Sequence, residues 1–219
     1  MLLKFNEEWA RSSVNGALAI RKDINRIVDE ICAQGYRNIC WLGIGGTWAS
    51  GMQAAVHMKE QSEIETWAEN ASEYNTTGNK RVGEGTVVIT SSVTGSTVEV
   101  VEAVKRMQAA GAKVIGFIDI DTTELAKLVD YEIVYPVNEQ LKFFMVADRF
   151  MQNNGEFADC DARYAEFEAH LAQALIDVEK KADAFGQEFA KKHWNDPIHY
   201  FVGAGNQWGA TYSYAMCYW

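Results

Sequence analysis

The chain has 219 residues, 48% of them hydrophobic, and a formal net charge of −10 at pH 7. This length and apolar content are enough for one domain with a sizeable core and part of another. The negative charge disfavours nucleic acid and anionic membrane surfaces as partners.

No apolar run approaches the ~20 residues of a membrane-spanning helix, so we expect no membrane partner. The first residues, Met1–Glu8, lack the charged-then-apolar form of a secretory signal peptide. The four cysteines show no paired close spacing and form no recognisable ligand set with the four histidines. We therefore expect reduced thiols, a cytoplasmic location and no metal site.

Helical and strand patterns alternate along the first two thirds of the chain, which predicts an α/β fold with a parallel sheet and right-handed crossovers. Residues 7–33 fit one long helix with an apolar face, ended by Gly35. Strands are predicted at Asn38–Leu42, Glu63–Ala68, Thr86–Thr90, Lys113–Ile118 and Tyr131–Val134, with helices between them at Trp48–Glu60, Thr97–Ala110 and Thr122–Leu128.

After Pro136 the pattern becomes helical. Leu141–Phe150 is very apolar and predicts a buried helix, and Asp161 to about Lys192 predicts a long helix with a solvated charged face. A further apolar run at Ile198–Val202 predicts another strand.

A glycine-rich turn, residues 43–48 (the glycine loop), follows the first predicted strand and precedes a helix. Glu69 leaves the spacing of a dinucleotide-binding fingerprint open, but Trp48 stands where the third glycine of that fingerprint should be. A P-loop is excluded because the chain has no Gly-Lys-Ser or Gly-Lys-Thr.

A second turn, Thr90–Thr97 (the hydroxyl loop), connects the third predicted strand to a helix. It is rich in Ser and Thr, contains Gly95 and has no Lys or Arg. Hydroxyl donors beside a helix N-terminus can cradle a phosphate or another anion, whereas capping of the helix alone is the simpler alternative. Since both loops follow the carboxyl ends of parallel strands, we expect them to face one pocket.

The glycine loop has an internal echo. Gly43-Ile44-Gly45-Gly46-Thr47-Trp48 is matched by Gly203-Ala204-Gly205-Asn206-Gln207-Trp208, and each follows an apolar run. The echo suggests a duplicated α/β unit, although chance similarity of two such turns is the alternative. The second copy would stop at the apolar end Met216–Trp219, so we expect a chain cut inside its second unit.

These features resemble the sugar isomerase (SIS) domain family, in its form with two SIS units in tandem. The resemblance covers nearly all of the chain and rests on Gly45-Gly46-Thr47, Ala71-Ser72-Glu73-Tyr74 and Ser92–Thr97. It implies a three-layer αβα SIS fold with a five-stranded parallel sheet. The implied segments are an N-terminal helix (1–35), a first SIS domain (36–155), a helical linker (156–195) and the start of a second, incomplete SIS domain (196–219).

The resemblance also implies the ligand contacts. Thr47, Ser92, Thr94 and Thr97 would bind the phosphate of a sugar phosphate, and Gly95 would let the backbone approach it. The implied substrate contacts also include Gly45, Gly46, Ser91, Glu139 and Gln140, with helix capping as the alternative role of the last two. The family's catalytic glutamate and histidine would come after Trp219, so no catalytic residue is expected in this chain.

Within the family, Gln140–Phe144 and Val202–Asn206 look most like the fructosamine-6-phosphate deglycases. This implies cleavage of a phosphorylated Amadori product to hexose 6-phosphate and an amino acid, by a homodimer that needs no cofactor. A ketose–aldose isomerase and a sugar-phosphate-sensing SIS module are the alternatives. The sensor ranks lower because such modules adjoin a basic DNA-binding region, which this acidic chain lacks.

Overall fold

The computed structural model describes residues 5–219, so the first four residues of the predicted segment 1–35 lie outside the described residues. Five strands form one sheet: β1 (Asn38–Gly43), β2 (Thr66–Asn70), β3 (Thr86–Ser92), β4 (Lys113–Ile118) and β5 (Tyr131–Ile133). The helices are α1 (Glu7–Ala19), α2 (Arg21–Gln34), α3 (Gly46–Gln61), α4 (Ala71–Thr77), α5 (Val98–Ala109), α6 (Glu124–Leu128), α7 (Glu139–Asn153), α8 (Cys160–His193) and α9 (Gln207–Ser213), followed by a π-helical turn at Tyr214–Tyr218.

The sheet has the strand order β2-β1-β3-β4-β5, and every pair of neighbours is parallel. One face is covered by α2, α3 and α7 around a core that includes Trp41 and Phe117. The opposite face is covered by α4, α5 and α6 around Leu42, Val88 and Val104. The predicted α/β fold with a five-stranded parallel sheet is confirmed.

The single N-terminal helix predicted over residues 7–33 is wrong, because two helices meet at Ile20. The apolar positions predicted to share one face are all buried, but α1 contacts α8 whereas α2 contacts α7. One straight helix could not bury both faces. Neither glycine nor proline marks the break, so tertiary packing decides it.

Strand bounds follow their neighbours. The second strand, predicted at Glu63–Ala68, starts later at Thr66 and runs to Asn70, because it pairs with β1 from Ile39 to Gly43. The third strand extends past Thr90 to Ser92, which lies opposite Ile118 of β4. Hydrogen bonding to the adjacent strand therefore moves both strand ends toward the carboxyl edge of the sheet.

The apolar helix α7 is buried as predicted, and it carries a buried polar cluster. Asp148 accepts from Tyr164 on α8 through Oδ2 at 2.8 Å, and its Oδ1 lies 2.6 Å from His57 Nε2 on α3. Asp148 and Tyr164 are both buried, so this cluster satisfies polar groups where α3, α7 and α8 meet. Among residues 5–219, no helix is both long and apolar enough to cross a membrane.

The strand predicted at Ile198–Val202 does not form. A strand needs a hydrogen-bonding neighbour, and residues 198–202 pair with no strand in the described part of the chain; Tyr200 and Val202 are exposed. The following helix α9 instead packs on α3, where a Cβ added at Gly209 would lie 2.3 Å from the Ala49 carbonyl oxygen.

Candidate functional site

The sheet reverses its winding between β1 and β3. The chain leaves β1 through α3 toward one edge, and it leaves β3 through α5 toward the other. In open α/β sheets, ligands bind at the carboxyl ends of the strands at such a switch point. The glycine loop follows β1 and the hydroxyl loop follows β3, so both lie at this crevice.

The glycine loop brings the N-terminus of α3, a helix of 16 residues, to the crevice. Gly45 is its N-cap in a left-handed conformation (φ 56°), which glycine adopts at little cost. Gly45 and Gly46 are exposed, and no side chain caps the helix. The first backbone N–H groups of α3 therefore face the crevice without a side-chain acceptor.

Thr47 directs its hydroxyl toward α7. Its Oγ1 donates to Glu139 Oε2 at 2.7 Å. Thr47 and Glu139 are 92 residues apart in sequence and both are partly buried. Two of the predicted contact residues therefore meet directly.

The hydroxyl loop is held by its own side chains. Ser92 Oγ accepts from the Gly95 amide at 3.0 Å, and Thr94 Oγ1 accepts from the Ser96 amide at 3.4 Å. A hydroxyl that accepts through a lone pair still has its proton to donate. Thr97 is the N-cap of α5 but makes no capping hydrogen bond. Three predicted phosphate ligands thus keep a donor available.

Ser91 and Ser92 are both buried at the end of β3. Because successive strand side chains point to opposite faces of the sheet, only one of them can line the same wall as the loop that follows. Ser92 engages that loop through Gly95. A ligand contact of Ser91 remains a prediction.

Gly95 allows a close approach between the hydroxyl loop and α6. Its φ is 59°, and a Cβ there would lie 2.0 Å from Thr123 Oγ1. Its carbonyl accepts from the Leu125 amide at 3.2 Å. The glycine therefore fixes the loop against the N-terminus of α6, a contact that no sequence pattern predicted.

The turn before α7 is strained. Val137 and Asn138 have φ values of 63° and 50°, and they are the only non-glycine residues with positive φ among residues 5–219. A β-branched residue rarely adopts this conformation, and such strain clusters at functional sites. The turn leads directly into Glu139. Gln140 lies toward α3, with its Nε2 3.5 Å from the Ser50 carbonyl oxygen.

Lys142 and Asp119 were not predicted as site residues. Lys142 is 1% exposed, and its Nζ donates to the Tyr135 carbonyl at 2.7 Å. Burial lowers the pKa of Lys142, while the carboxylates of Asp119 and Glu139 oppose that shift. A lysine inside the apolar run Leu141–Val146 was the signal in the sequence that marked it.

Asp119 follows β4 at the same edge of the sheet. Its backbone amide donates to the Ser92 carbonyl at 3.3 Å, which joins it to the hydroxyl loop. Burial raises the pKa of Asp119; the positive charge of Lys142 counters this and the negative charge of Glu139 adds to it. Lys142 therefore lies between two carboxylates that border the two loops.

The arrangement suits an anion held by neutral groups. Helices α3 and α5 present their N-termini, with the positive ends of their dipoles, beside the hydroxyls of Thr47, Ser92 and Thr97. Neither loop contains a lysine or arginine. Within residues 5–219, His, Cys, Asp and Glu side chains form no group of three that could hold a metal ion.

The model of the SIS domain family matches residues 35–148, more than half of the chain. The chain belongs to the SIS domain family. The matched region begins just before β1 and ends within α7, so it contains both loops and Glu139.

Several SIS proteins are similar to this chain. Fructosamine deglycase FrlB of Bacillus subtilis (strain 168) is 21% identical over 210 residues, which cover 90% of this chain and 63% of FrlB. This chain therefore spans less than two thirds of the length of that relative.

Two solved structures share the fold. A candidate phosphosugar isomerase from Salmonella typhimurium LT2 superimposes with a TM-score of 0.81 at 19% identity, over 90% of this chain and 62% of that one. An E. coli CFT073 protein, solved in complex with a sugar phosphate, gives a TM-score of 0.57 at 16% identity, over 72% of this chain and 91% of that one. At these identities the likeness establishes the fold.

Proposed function

We propose that this chain binds the phosphate of a sugar phosphate between the glycine loop and the hydroxyl loop. The observation that carries the proposal is the convergence of two helix N-termini at the switch point, with the hydroxyl protons of Ser92 and Thr97 uncommitted. The sugar-phosphate complex of the E. coli neighbour supports it. Dipoles and hydroxyls, without a full counter-charge in the loops, suit a metabolite that must be released.

We further propose that the whole protein is a deglycase of fructosamine 6-phosphates, as the name of the FrlB relative suggests. A carboxylate base would remove a proton from C1 of the opened sugar, and protonation of the resulting enolamine at C2 would give an imine. Water would hydrolyse the imine to hexose 6-phosphate and the free amine. Each positioned acid or base contributes about 10²–10⁴-fold to such a reaction.

In this proposal, the residues of this chain hold and orient the sugar phosphate, and the catalytic glutamate and histidine come from beyond Trp219. A ketose–aldose isomerase is the second candidate, because the Salmonella neighbour is a candidate phosphosugar isomerase. Both reactions move a proton between C1 and C2, and they differ in whether an amine leaves.

The binding site is tested by calorimetric titration of the chain with fructose 6-phosphate. Thr47→Val and Thr97→Val each remove one hydroxyl donor at nearly constant volume. A hydrogen bond to a charged group contributes about 1.5–3 kcal/mol, so each change should weaken binding about tenfold or more.

Thr76→Val on α4 is the matched control, since the Thr76 hydroxyl donates to the Ser72 carbonyl of its own helix. It should leave the affinity unchanged. Equal affinities of all three variants and the parent chain would contradict the proposed site.

The reaction is tested with fructosamine 6-phosphates and an assay for glucose 6-phosphate. The intact protein should release glucose 6-phosphate together with the amine, whereas an isomerase would release no amine. The 219-residue chain alone should show no turnover. Turnover by the chain alone would refute the placement of the catalytic pair beyond Trp219.

We also propose a homodimer in the cytoplasm. The long helix α8 leaves apolar side chains exposed, among them Val178 and Phe185 at 62% and 72% exposure. An exposed apolar stripe of this kind is typical of a subunit contact, and it supports this proposal.

A further inference from the structure

The Thr47 hydroxyl has one proton and two prospective acceptors. In the structure, that proton goes to Glu139 Oε2 over 2.7 Å. A phosphate bound by the glycine loop would need the same proton, because a threonine hydroxyl can donate only once. Phosphate binding and the Thr47–Glu139 hydrogen bond are therefore mutually exclusive.

Release of Glu139 leaves a carboxylate at the edge of the site. Asp119 borders the site from β4, and its side chain makes no hydrogen bond within residues 5–219. Lys142 supplies one positive charge between these two carboxylates and is held at the Tyr135 carbonyl. One negative charge then remains uncompensated on this wall.

The two walls of the crevice thus differ in chemistry. Donors gather at the ends of β1 and β3, where Thr47, Ser92 and Thr97 lie, and acceptors gather at α7 and the end of β4. An uncompensated carboxylate near a phosphate is unfavourable unless the ligand brings a positive charge with it. A ligand with a phosphate at one end and a protonated amine at the other matches both walls.

We propose that Glu139 determines specificity for a cationic amine: when the ligand's phosphate takes the Thr47 proton, the released carboxylate accepts a hydrogen bond from the ligand's ammonium group. This inference rests on the proposed phosphate site. It assigns Glu139 a role in recognition, and it explains why a carboxylate stands beside a loop that binds an anion.

The test compares two ligands that differ only at C1. Fructosamine 6-phosphate (1-amino-1-deoxyfructose 6-phosphate) carries a protonated amine where fructose 6-phosphate carries a hydroxyl. Both are titrated into the parent chain and into Glu139→Gln. Glutamine keeps the shape and an oxygen that can accept from Thr47, so the fold and the turn before α7 are retained.

Glu139→Gln should weaken fructosamine 6-phosphate about tenfold, the effect of losing a charge-assisted hydrogen bond. It should leave fructose 6-phosphate as tightly bound as before, or bound more tightly, because a negative charge near the phosphate is removed. Glu84→Gln, an exposed position at the opposite edge of the sheet, makes the same change in net charge and should shift neither affinity.

The outcomes separate the inference from the proposal beneath it. If the parent chain binds both ligands and Glu139→Gln changes both affinities by the same factor, the specificity role is overturned and the phosphate site stands. If the parent chain binds neither ligand, both are overturned.

Discussion

Single residues at the carboxyl edge of the sheet set the geometry of the site. Gly95 is held at φ 59°, with Thr123 against it. A side chain at this position would meet both an unfavourable backbone conformation and a steric clash. The hydroxyl loop therefore depends on one glycine for its position over α6.

Gly95→Ala should lower the free energy of unfolding by at least about 1 kcal/mol, because the left-handed conformation and the Thr123 contact both oppose a Cβ. Urea unfolding measures this change. It should also weaken binding of fructose 6-phosphate, since the loop must shift.

Gly186→Ala provides the control for Gly95→Ala. Gly186 lies in the middle of α8, and a Cβ there would meet no atom within 4 Å. Alanine should stabilise this helix position by roughly 0.5–1 kcal/mol. Opposite signs for the two substitutions are expected; the same sign would contradict the assigned role of Gly95.

At the residue scale, the sequence indicated hydroxyls and glycines, because their type and their position after a strand carry the signal. It did not indicate Lys142 or Asp119. Lys142 lies in an apolar run, and only its burial between α7 and Phe117 of β4 reveals a charge inside the site. The contact between Thr47 and Glu139 joins two distant segments, and no local pattern encodes it.

At the scale of elements, an ion pair joins α2 to α7. Arg149 donates to Asp29 through Nε at 2.7 Å and through Nη2 at 2.6 Å, a bidentate contact. These hydrogen bonds lower the pKa of Asp29 from its ordinary value of 3.8, against the effect of partial burial. Both side chains are partly exposed, so the pair contributes about 1 kcal/mol or less.

Asp29→Asn should therefore lower the free energy of unfolding at neutral pH by up to about 1 kcal/mol. The folded-state pKa lies below the unfolded one, so the pair's stabilisation is present above pH 3.8 and is lost as the pH falls through the folded-state pKa. Urea unfolding from neutral pH to about pH 2 should show the two proteins converging.

Asp177→Asn, an exposed position on α8, is the matched control for Asp29→Asn and should track the parent chain at every pH. A constant difference between Asp29→Asn and the parent down to the lowest pH would contradict the assignment of the pair.

Element order and type were largely predictable, because hydrophobic periodicity is a local property of the chain. The bounds of β2 and β3 were not, since pairing with β1 and β4 extends them toward the site. The break at Ile20 was also hidden, because it serves the separate packing of α1 on α8 and α2 on α7.

At the scale of the whole molecule, the two halves of the sequence echo meet in space. Gly45 and Gly205, at equivalent positions, both have a φ of 56°, and each precedes a helix. The helices cross where Gly209 contacts Ala49, and Tyr212 packs edge-on against Trp48 with ring centroids 5.3 Å apart. The assignment of 196–219 to a second SIS unit remains a prediction, and this crossing supports it.

Gly209→Val should release α9 from α3, because a Cβ at this position would overlap the Ala49 carbonyl oxygen. Amide hydrogen exchange should become faster throughout residues 203–219, while the strands of the sheet keep their protection. Ala204→Val, an exposed position in the same segment, should leave exchange unchanged. Unaltered protection in Gly209→Val would contradict the role of this crossing in holding the segment.

The sequence by itself determined the α/β class, the parallel sheet and the two loops at strand ends, because each is written in residues that are neighbours along the chain. Only the tertiary structure decided that Glu139 takes the proton of Thr47, that Lys142 lies between two carboxylates, and that α9 crosses α3. These contacts join residues from distant segments. Their energies depend on distance and burial, which exist only once the chain is packed.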